Sequence, residues 1–325
     1  MILITGGSGQ IGSLLKLELL NYYSSKSIIL AVKTEFICSH NCKVLVGDLQ
    51  NLNFVREIFN NNSITKVFNL ATTSFVDRNL IWDNYLDYNR CKIFDNITQV
   101  ISENNKNVWI FHPLSAEIFG IPDGIYQGNQ TKISPLNSYG IQKSTELLKC
   151  RFLNTQGFNI FHPILFNTES TFRSKKFFSR RIIEGLINYK KTGKGNLKFY
   201  NSYSSRDFSY GPDSVKLFYK SMKLQLKGDE CFGSSQSLTI KQFIEFSLNE
   251  LKIDCKILNE NGLIKITDNN LNVIAYEADR DLIDQKRKFK FDGKYNNKCF
   301  ETDITRGGKE FLKNLINDYL QITNE

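Results

Sequence analysis

Short apolar runs alternate with helical patterns through the first half of the chain, and this alternation constrains the fold most strongly. The apolar runs, which predict buried strands, are Ile2–Ile4, Ser27–Val32, Lys43–Val46, Lys66–Leu70, Val108–Phe111 and Asn159–Leu165. The helical patterns between them are Ile11–Tyr22, Leu52–Asn60, Leu80–Asn104 and Tyr139–Thr155. Continuously apolar strands that alternate with helices are typical of a parallel sheet covered on both faces. The sequence therefore predicts an α/β fold with a doubly wound parallel sheet.

The pattern changes after about Phe166. A helical pattern runs over Ser237–Leu251, a polar segment rich in asparagine over Asn259–Asn272, and an amphipathic helix over Ile304–Leu320. This change of rhythm indicates a second, smaller domain. We therefore predict one domain over residues 1–165, completed by part of residues 199–235, and another formed mainly by residues 166–325.

Composition and charge narrow the function classes. Hydrophobic residues make up 41% of the 325 residues, which is not a disordered composition, and no apolar run approaches the length of a membrane span. The amino terminus lacks the pattern of a secretory signal, so we expect a cytoplasmic protein. A net charge of +9 suits either nucleic acid or a small anionic ligand. Without an aromatic-interleaved RNA motif or a basic tail, we favour the small anion over nucleic acid or a membrane.

The seven cysteines are irregularly spaced and odd in number, which favours reduced, mostly buried thiols over a disulfide framework. Cys38, His40 and Cys42 form a tight cluster. A metal site would need a further ligand and usually a second paired motif. We therefore interpret the cluster as an ordinary loop and predict no metal.

A glycine-rich loop follows the first predicted strand. Gly6, Gly9 and Gly12 stand between that strand and the first helix. Glycines in this setting let the backbone turn tightly, approach a pyrophosphate and aim helix N–H groups at it. The loop therefore predicts a Rossmann-type NAD(P)-binding domain in residues 1–165. Further residues assigned to the same cofactor site are Gln10, Ile11, Leu49, Leu70 and Ala71.

The end of the second strand bears on the choice of cofactor. An acidic residue there favours NAD, whereas a basic one favours the 2′-phosphate of NADP. Lys33 stands at this position and favours NADP, while Glu35 keeps NAD open. Asp48, after the third strand, fits either an adenine contact or a turn.

Four polar residues could carry redox chemistry. Tyr139 and Lys143 are four residues apart on a predicted helix and so share one face. A tyrosine pKa of about 10 must fall to serve as a base near neutral pH, and a nearby ammonium favours the phenolate. Ser115, after the preceding strand, can hydrogen-bond a hydroxyl that is oxidised. Glu117 on the same edge is either a second acid/base or a solvated loop carboxylate.

Together these motifs resemble the extended short-chain dehydrogenases/reductases, and most closely GDP-mannose 4,6-dehydratases and their relatives. The segments that carry the closer resemblance are Asn69–Ala71, Ser74–Val76, Ser115–Gly120, Phe166–Ser170 and Arg206–Phe208. The resemblance implies a nucleotide-diphosphate sugar as substrate, either GDP-mannose-like or GDP-heptose-like. It also implies substrate-binding roles for five residues: Ser74, Asn167, Glu169, Arg206 and Arg280. Arg206 has a structural alternative as a partner of Asp207.

The family's chemistry implies a role for each catalytic residue. Tyr139 would take the C4 hydroxyl proton while NADP⁺ takes the C4 hydride, and Lys143 would lower the tyrosine pKa and hold the ribose. Ser115 would orient the C4 oxygen. Glu117 would take the C5 proton and help water leave from C6, after which the hydride returns to C6.

Departures from the family pattern leave alternatives open. Lys33-Thr34 replaces two arginines, and His112-Pro113-Leu114 replaces smaller residues before Ser115. A C4 dehydrogenase, a 4-keto reductase or an epimerase on the same fold keeps Ser115, Tyr139 and Lys143 without needing Glu117 as a base. A binding protein that has lost the chemistry is less favoured, because the catalytic set is complete. The helices over Leu80–Asn104 and Tyr139–Thr155 form the dimer surface in similar folds, so we expect a homodimer or a higher oligomer.

Overall fold

The computed structural model describes residues 1–72, 91–104, 107–120, 127–278 and 306–324. The helices are α1 (Gln10–Leu20), α2 (Leu52–Asn60), α3 (Lys92–Asn104), α4 (Ser138–Thr155), α5 (Phe178–Thr192), α6 (Gly211–Leu224), α7 (Ile240–Glu250) and α8 (Gly308–Asn324). The strands of the first half are β1 (Ile2–Thr5), β2 (Ile28–Val32), β3 (Lys43–Val46), β4 (Lys66–Asn69), β5 (Trp109–Phe111), β6 (Leu114–Ser115), β7 (Asn159–Phe161) and β8 (Ile164–Leu165). Those of the second half are β9 (Asn167–Glu169), β10 (Leu197–Phe199), β11 (Ser205–Tyr210), β12 (Cys231–Phe232), β13 (Ser237–Thr239), β14 (Lys256–Glu260), β15 (Leu263–Thr267) and β16 (Val273–Glu277).

The main sheet has six strands in the order β3-β2-β1-β4-β5-β7, and every pairing in it is parallel. This is the Rossmann order, in which the strand sequence reverses beside β1. Every residue of β1 and β2 is buried, as expected for strands covered on both faces. The predicted α/β fold with a doubly wound parallel sheet is confirmed.

The prediction of one strand over Asn159–Leu165 is wrong. β7 belongs to the main sheet, whereas β8 belongs to a separate three-stranded sheet in the order β12-β8-β6. Pro163 stands between them and has no N–H to donate to a ladder. The carbonyl oxygen of Pro163 instead accepts from the Leu114 N–H at 2.7 Å, next to Ser115.

The chain divides into two compact units. Unit 1 comprises the described residues within Met1–Ile121, Asn129–Leu165 and Ser214–Phe232. Unit 2 comprises those within Pro122–Gly128, Phe166–Asp213 and Gly233–Glu325. Unit 1 holds the parallel sheet and its helices. Its core includes the fully buried Trp109 of β5, whose Nε1 donates to the Leu226 carbonyl oxygen at 2.9 Å.

Unit 2 has a three-stranded sheet, β13-β11-β9, and a four-stranded sheet, β10-β16-β15-β14. Three phenylalanines on β11, α7 and α8 pack together in its core: Phe208, Phe243 and Phe311. The predicted helix over Ser237–Leu251 is wrong at its start, because Ser237–Thr239 form β13 and the helix begins at Ile240. Thr239 and Gln242 form a capping box there, which fixes the start of α7.

The asparagine-rich segment predicted over Asn259–Asn272 contains a hairpin. β14 and β15 pair antiparallel around Asn261 and Gly262, whose φ angles are 53° and 85°. Two positive φ angles suit a tight hairpin turn, and Asn-Gly is the sequence that favours it. The final helix α8 lies within residues 308–324. The predicted start at Ile304, like residues 80–90 of the predicted helix that ends at Asn104, falls outside the described residues.

Candidate active site

The glycine loop has the geometry that a pyrophosphate requires. Gly6 follows β1 with a φ of +65°, and the Gly9 N–H closes the turn on the Gly6 carbonyl oxygen at 2.9 Å. A Cβ at Gly12 would lie 2.9 Å from the Gly7 Cα and would overlap the Gly6 carbonyl oxygen. Gly9 is the N-cap residue of α1 and makes no side-chain hydrogen bond, and a helix that begins in such a turn favours an anion at its amino terminus, near Ile11. The loop therefore fits a dinucleotide, with Gln10 as the first residue of α1.

Two further predicted cofactor residues meet beside β2 and β3. Lys33 Nζ and Asp48 Oδ2 are 3.2 Å apart, and both side chains are exposed. The N–H of Gln50 donates to Asp48 Oδ1 at 2.9 Å, and this bond, together with Lys33, holds the pKa of Asp48 below its usual value. The neighbouring Leu49 is buried, and its carbonyl oxygen accepts from Asn96 Nδ2 at 2.9 Å.

Leu70 and Ala71 directly follow β4, the strand that pairs with β1. The N–H of Ala71 donates to Thr5 Oγ1 at 3.0 Å, which fixes the end of β4 against the end of β1. A Cβ at Gly6 would lie only 3.0 Å from Ala71 Cα. The glycine loop and the end of β4 thus meet at the carboxyl edge of the sheet, where ligands bind in doubly wound folds.

Ser115 and Tyr139 are neighbours in the structure. Ser115 ends β6, Tyr139 lies in the first turn of α4, and a hydrogen bond between their side chains favours the ionised tyrosine. Burial raises the pKa of Tyr139, while Lys143 and this hydrogen bond oppose the rise. Lys143 Nζ is 5.9 Å from the centre of the tyrosine ring. The predicted set of Ser115, Tyr139 and Lys143 therefore lies together in unit 1.

Lys143 is 2% exposed, and its ammonium makes two hydrogen bonds. Nζ donates to Glu146 Oε2 at 2.7 Å and to the Pro113 carbonyl oxygen at 3.0 Å. Burial alone would lower the pKa of Lys143, but the Glu146 carboxylate outweighs it and the pKa is raised. The lysine is therefore charged, with a counter-charge that the sequence motif did not predict.

Glu117 lies in a short 3-10 helix, Ala116–Ile118, that is capped by the Ser115 side chain. Asn137 Nδ2 donates to Glu117 Oε2 at 2.6 Å. The same Asn137 caps α4 through its Oδ1, which accepts from the Gly140 N–H at 2.7 Å. One side chain thus ties the Glu117 carboxylate to the first turn of the helix that carries Tyr139.

Gly140 allows the first turn of α4 to pack closely against Glu117. A Cβ there would lie 3.0 Å from Pro135 Cβ and would press on the carbonyl oxygen of Glu117. Sequence reasoning missed Asn137. An asparagine just before a predicted helix signals an N-cap, but its bond to a carboxylate twenty residues away is a tertiary contact.

Unit 2 holds three of the predicted substrate-binding residues. In the parallel pairing of β9 and β11, Asn167 lies opposite Phe208, so Asn167 and Arg206 occupy diagonal positions on one face. Arg206 Nη1 donates to Ser204 Oγ at 2.7 Å and to the Ser205 carbonyl oxygen at 2.8 Å.

Asp207 and Glu169 are both buried within unit 2. Asp207 Oδ1 accepts from the N–H and Oγ of Ser234, and its Oδ2 from the Ser235 N–H. Glu169 Oε2 accepts from Ser179 Oγ at 2.6 Å and lies 3.4 Å from Arg173 Nε. Burial raises the pKa of Glu169. Glu169 thus lies beside Arg173.

Two predicted substrate residues, Ser74 and Arg280, lie outside the described residues.

Within the part of the chain that the structure describes, no cluster of three or more His, Cys, Asp or Glu residues could hold a metal ion. Among the same residues, no helix combines the length and apolarity needed to span a bilayer.

Solved structures share this fold along nearly the whole chain. UDP-N-acetylglucosamine 4-epimerase from Methanobrevibacter ruminantium M1 has a TM-score of 0.77 at 16% identity, covering 99% of this chain and 98% of that one. dTDP-glucose 4,6-dehydratase from Bacillus anthracis has a TM-score of 0.76 at 14% identity, covering 99% and 97%. At such identities the likeness concerns the fold.

Relatives found by sequence similarity belong to a narrower group of enzymes, but they align with a smaller part of this chain. GDP-mannose 4,6-dehydratase from Vibrio cholerae serotype O1 is 23% identical over 156 residues, which is 48% of this chain and 42% of the relative. GDP-mannose 4,6 dehydratase 1 from Arabidopsis thaliana is 23% identical over 219 residues, 66% of this chain and 60% of the relative. The chain thus matches less than two thirds of the length of these relatives.

The family comparison covers most of the chain. The model of the family described as GDP-mannose 4,6 dehydratase matches residues 3–290. That range contains the glycine loop and the Ser115, Glu117, Tyr139 and Lys143 side chains whose geometry is described above. The chain therefore belongs to the GDP-mannose 4,6-dehydratase family of extended short-chain dehydrogenases/reductases.

Proposed function

We propose that the chain is an NAD(P)-dependent nucleotide-sugar 4,6-dehydratase, acting on a GDP-mannose-like or GDP-heptose-like substrate to form a 4-keto-6-deoxy sugar nucleotide. The observation that carries this proposal is the bond from Asn137 to Glu117. Oxidation at C4 needs only Ser115, Tyr139 and Lys143. Elimination of water needs a further base, and a carboxylate tied to the first turn of α4 supplies one close to the tyrosine.

The first half of the reaction uses the serine, the tyrosine and the lysine. The nicotinamide cofactor, when bound, would take hydride from C4 and return it to C6. Ser115 orients the C4 oxygen, and Tyr139 removes its proton. The Lys143 ammonium favours the phenolate by its positive charge.

Elimination follows from the acidity that a C4 ketone gives to the C5 proton. Glu117 takes this proton and passes a proton to the C6 hydroxyl, which leaves as water. When the hydride has returned to C6, C5 takes up one proton, which balances the proton that Tyr139 removed from the C4 hydroxyl. Asn137 holds the Glu117 carboxylate through Oε2 at 2.6 Å, leaving its other oxygen for proton transfer. The overall cycle is redox-neutral, so no added oxidant is consumed.

Lys33 supports NADP as the cofactor, because an ammonium beside the second strand would pair with a 2′-phosphate. Asp48 at 3.2 Å competes for the same ammonium and keeps NAD open. A structure of this fold, MoeE5, was solved in complex with UDP-glucose and NAD. We accordingly propose NADP first and NAD as the alternative.

The nucleotide-diphosphate sugar would be held by five residues, with unit 1 as the cofactor-binding domain and unit 2 as the substrate-binding domain. Asn167 and Arg206 share a face of the β9–β11 pair, which suits a diphosphate. Glu169 would act by holding Arg173. Ser74 and Arg280 complete the proposed set from the resemblance alone. A cytoplasmic location remains a prediction.

Product analysis with a panel of nucleotide sugars tests the reaction. The purified protein is incubated with GDP-, CDP-, UDP- and dTDP-linked sugars without added cofactor, and the product mass is followed. Loss of one water from a single substrate is expected. The variant Glu117→Gln should lose dehydration but keep cofactor affinity, whereas Glu103→Gln, an exposed carboxylate paired with Arg56, should behave as the wild type.

The second candidate is C4 redox chemistry without elimination. A C4 dehydrogenase or 4-keto reductase would change the mass by two hydrogens and need stoichiometric cofactor, while an epimerase would leave the mass unchanged. The similar fold of a 4-epimerase favours keeping this candidate. Unaltered turnover in Glu117→Gln would also refute the dehydratase and leave this alternative.

We also propose that α3 and α4 form the interface of a homodimer or higher oligomer. Leu148 and Phe152 on α4 are 62% and 63% exposed, and an open groove beside them is lined by residues of α3 and α4, including Thr98 and Leu153. A second copy presenting the same helices would bury these apolar side chains. Light scattering should give at least twice 37.5 kDa, and Leu148→Lys with Phe152→Lys should give the monomer.

A further inference from the structure

A relay of buried polar side chains, joined by hydrogen bonds, links the first strand to Lys143 within unit 1. Its members are Thr5, Asn69, His112, Glu146 and Lys143, with exposures of 0%, 3%, 3%, 2% and 2%. Polar groups are costly to bury unless each finds a hydrogen-bond partner. The proposed mechanism uses only Lys143, so the other four need an explanation of their own.

From Ala71 to Glu146 the hydrogen bonds all point the same way. The Ala71 N–H donates to Thr5 Oγ1, whose hydroxyl donates to Asn69 Oδ1 at 2.8 Å. Asn69 Nδ2 then lies 2.9 Å from His112 Nδ1, and His112 Nε2 lies 3.0 Å from Glu146 Oε2. Asn69 Nδ2 can only donate, so His112 Nδ1 must accept, and a neutral imidazole then carries its proton on Nε2.

The relay ends on the Glu146 carboxylate. Oε2 accepts from His112 and from Lys143 Nζ at 2.7 Å, and Oε1 accepts from Gln142 Nε2 at 2.9 Å. Burial alone would raise the pKa of Glu146, but Lys143 and His112 outweigh it and the pKa lies well below its usual value. Burial lowers the pKa of His112, which keeps the imidazole neutral. Glu146 is therefore a buried, ionised and fully coordinated carboxylate.

We propose that Glu146, oriented by His112, is a positioning residue that keeps the Lys143 ammonium charged and in place beside Tyr139. The proposal rests on the catalytic role of Lys143 given above. Glu146 and Pro113 both accept hydrogen bonds from the ammonium, and the centre of the tyrosine ring lies 5.9 Å from it. The relay from Ala71 connects this lysine to the end of β4, which borders the cofactor loop.

The other titratable groups around Lys143 cannot replace Glu146. They are Tyr139, His112, Cys91 and Cys150. Burial raises the pKa of both thiols, so they are neutral near pH 7, and His112 is neutral as well. Within the described residues, Glu146 is the carboxylate that contacts the lysine ammonium, at 2.7 Å. Without it, burial would lower the Lys143 pKa and the ammonium would lose its proton as the pH rises.

The test is Glu146→Gln, which keeps the shape of the side chain and removes its charge. The pKa of Lys143 should fall by at least about one unit. It is read from the ¹³Cε shift of the lysine, assigned with Lys143→Arg, and this titration needs neither substrate nor activity. In turnover, kcat should acquire a new fall on the alkaline side with little change in KM. Glu146→Asp should restore much of the profile.

Glu103→Gln removes an exposed carboxylate from the same unit and is the control for charge alone. If Lys143 titrates in Glu146→Gln as in the wild type, or the kcat profile keeps its shape, Glu146 is merely structural. A failed dehydratase assay would leave the lysine titration readable, so the two proposals fail separately. If Glu146→Gln does not fold, the proposal is tested instead on the wild type, by ¹⁵N spectra of the His112 imidazole. His112 must stay neutral with its proton on Nε2 from about pH 6 to 9, and a titrating His112 or the Nδ1–H form overturns the relay.

Discussion

Replacing Gly12 by alanine tests whether the tight glycine loop is what holds the cofactor. The new Cβ would lie 2.9 Å from Gly7 Cα and would overlap the Gly6 carbonyl oxygen. Both contacts are with backbone, which cannot rotate away, and overpacking of this kind costs about 1–3 kcal/mol. Gly12 is the third residue of α1, where alanine gains about 1 kcal/mol of helix propensity.

The overpacking cost and the gain in helix propensity together predict whether Gly12→Ala lowers cofactor affinity or the free energy of unfolding. If the free loop shifts to relieve the contact, stability changes little, and the bound conformation carries the full cost of about 1–3 kcal/mol. Affinity then falls roughly 5- to 150-fold, since about 1.4 kcal/mol is a factor of ten. If the loop holds its shape, the unfolding free energy falls by up to about 2 kcal/mol instead.

Calorimetric titration with NADP⁺ and NAD⁺, together with urea unfolding, measures both quantities. Gly185→Ala is the matched control: it is also a tight helical glycine, but its Cβ would meet the flexible Leu197 side chain in unit 2. Cofactor affinity should be unchanged in that control. A Gly12→Ala protein with wild-type stability and affinity within twofold of wild type would refute the reasoning.

Three further changes have defined outcomes. Tyr139→Phe should cut product formation by about 10²–10⁴-fold while cofactor affinity, measured by titration, is retained. Lys33→Ala should weaken NADP⁺ binding about tenfold and leave NAD⁺ unaffected, and equal losses for both would exclude a phosphate contact. Asp229→Asn should destabilise unit 1 by about 1–3 kcal/mol at pH 7 in urea unfolding. His162 at 3.4 Å and Arg151 at 2.8 Å hold the pKa of Asp229 below its usual value. The stability that these two contacts contribute is therefore present above about pH 3.9 and lost below it. The difference in unfolding free energy between Asp229→Asn and the wild type should therefore become smaller as the pH falls.

The sequence by itself determined the parallel sheet, the glycine loop between β1 and α1, and the placement of Tyr139 and Lys143 on one helix. Each of these depends on local relations: apolar runs of strand length, glycines between a strand and a helix, and a spacing of four on one helical face. The same locality explains the errors. Pro163 ended β7 inside one apolar run, and β13 formed from residues that also fit a helical period.

Tertiary structure alone decided how the proposed catalytic groups are held. Asn137 reaches Glu117 across twenty residues and His112 reaches Glu146 across thirty-four, because the residues that follow β5 and β6 pack against the amino-terminal half of α4. Nothing in the spacing of these residues marks them, since each is an ordinary cap, core or helix position when read along the chain. Burial made the difference: a charge or imidazole removed from water must find partners, and only the folded chain brings those partners within hydrogen-bonding distance.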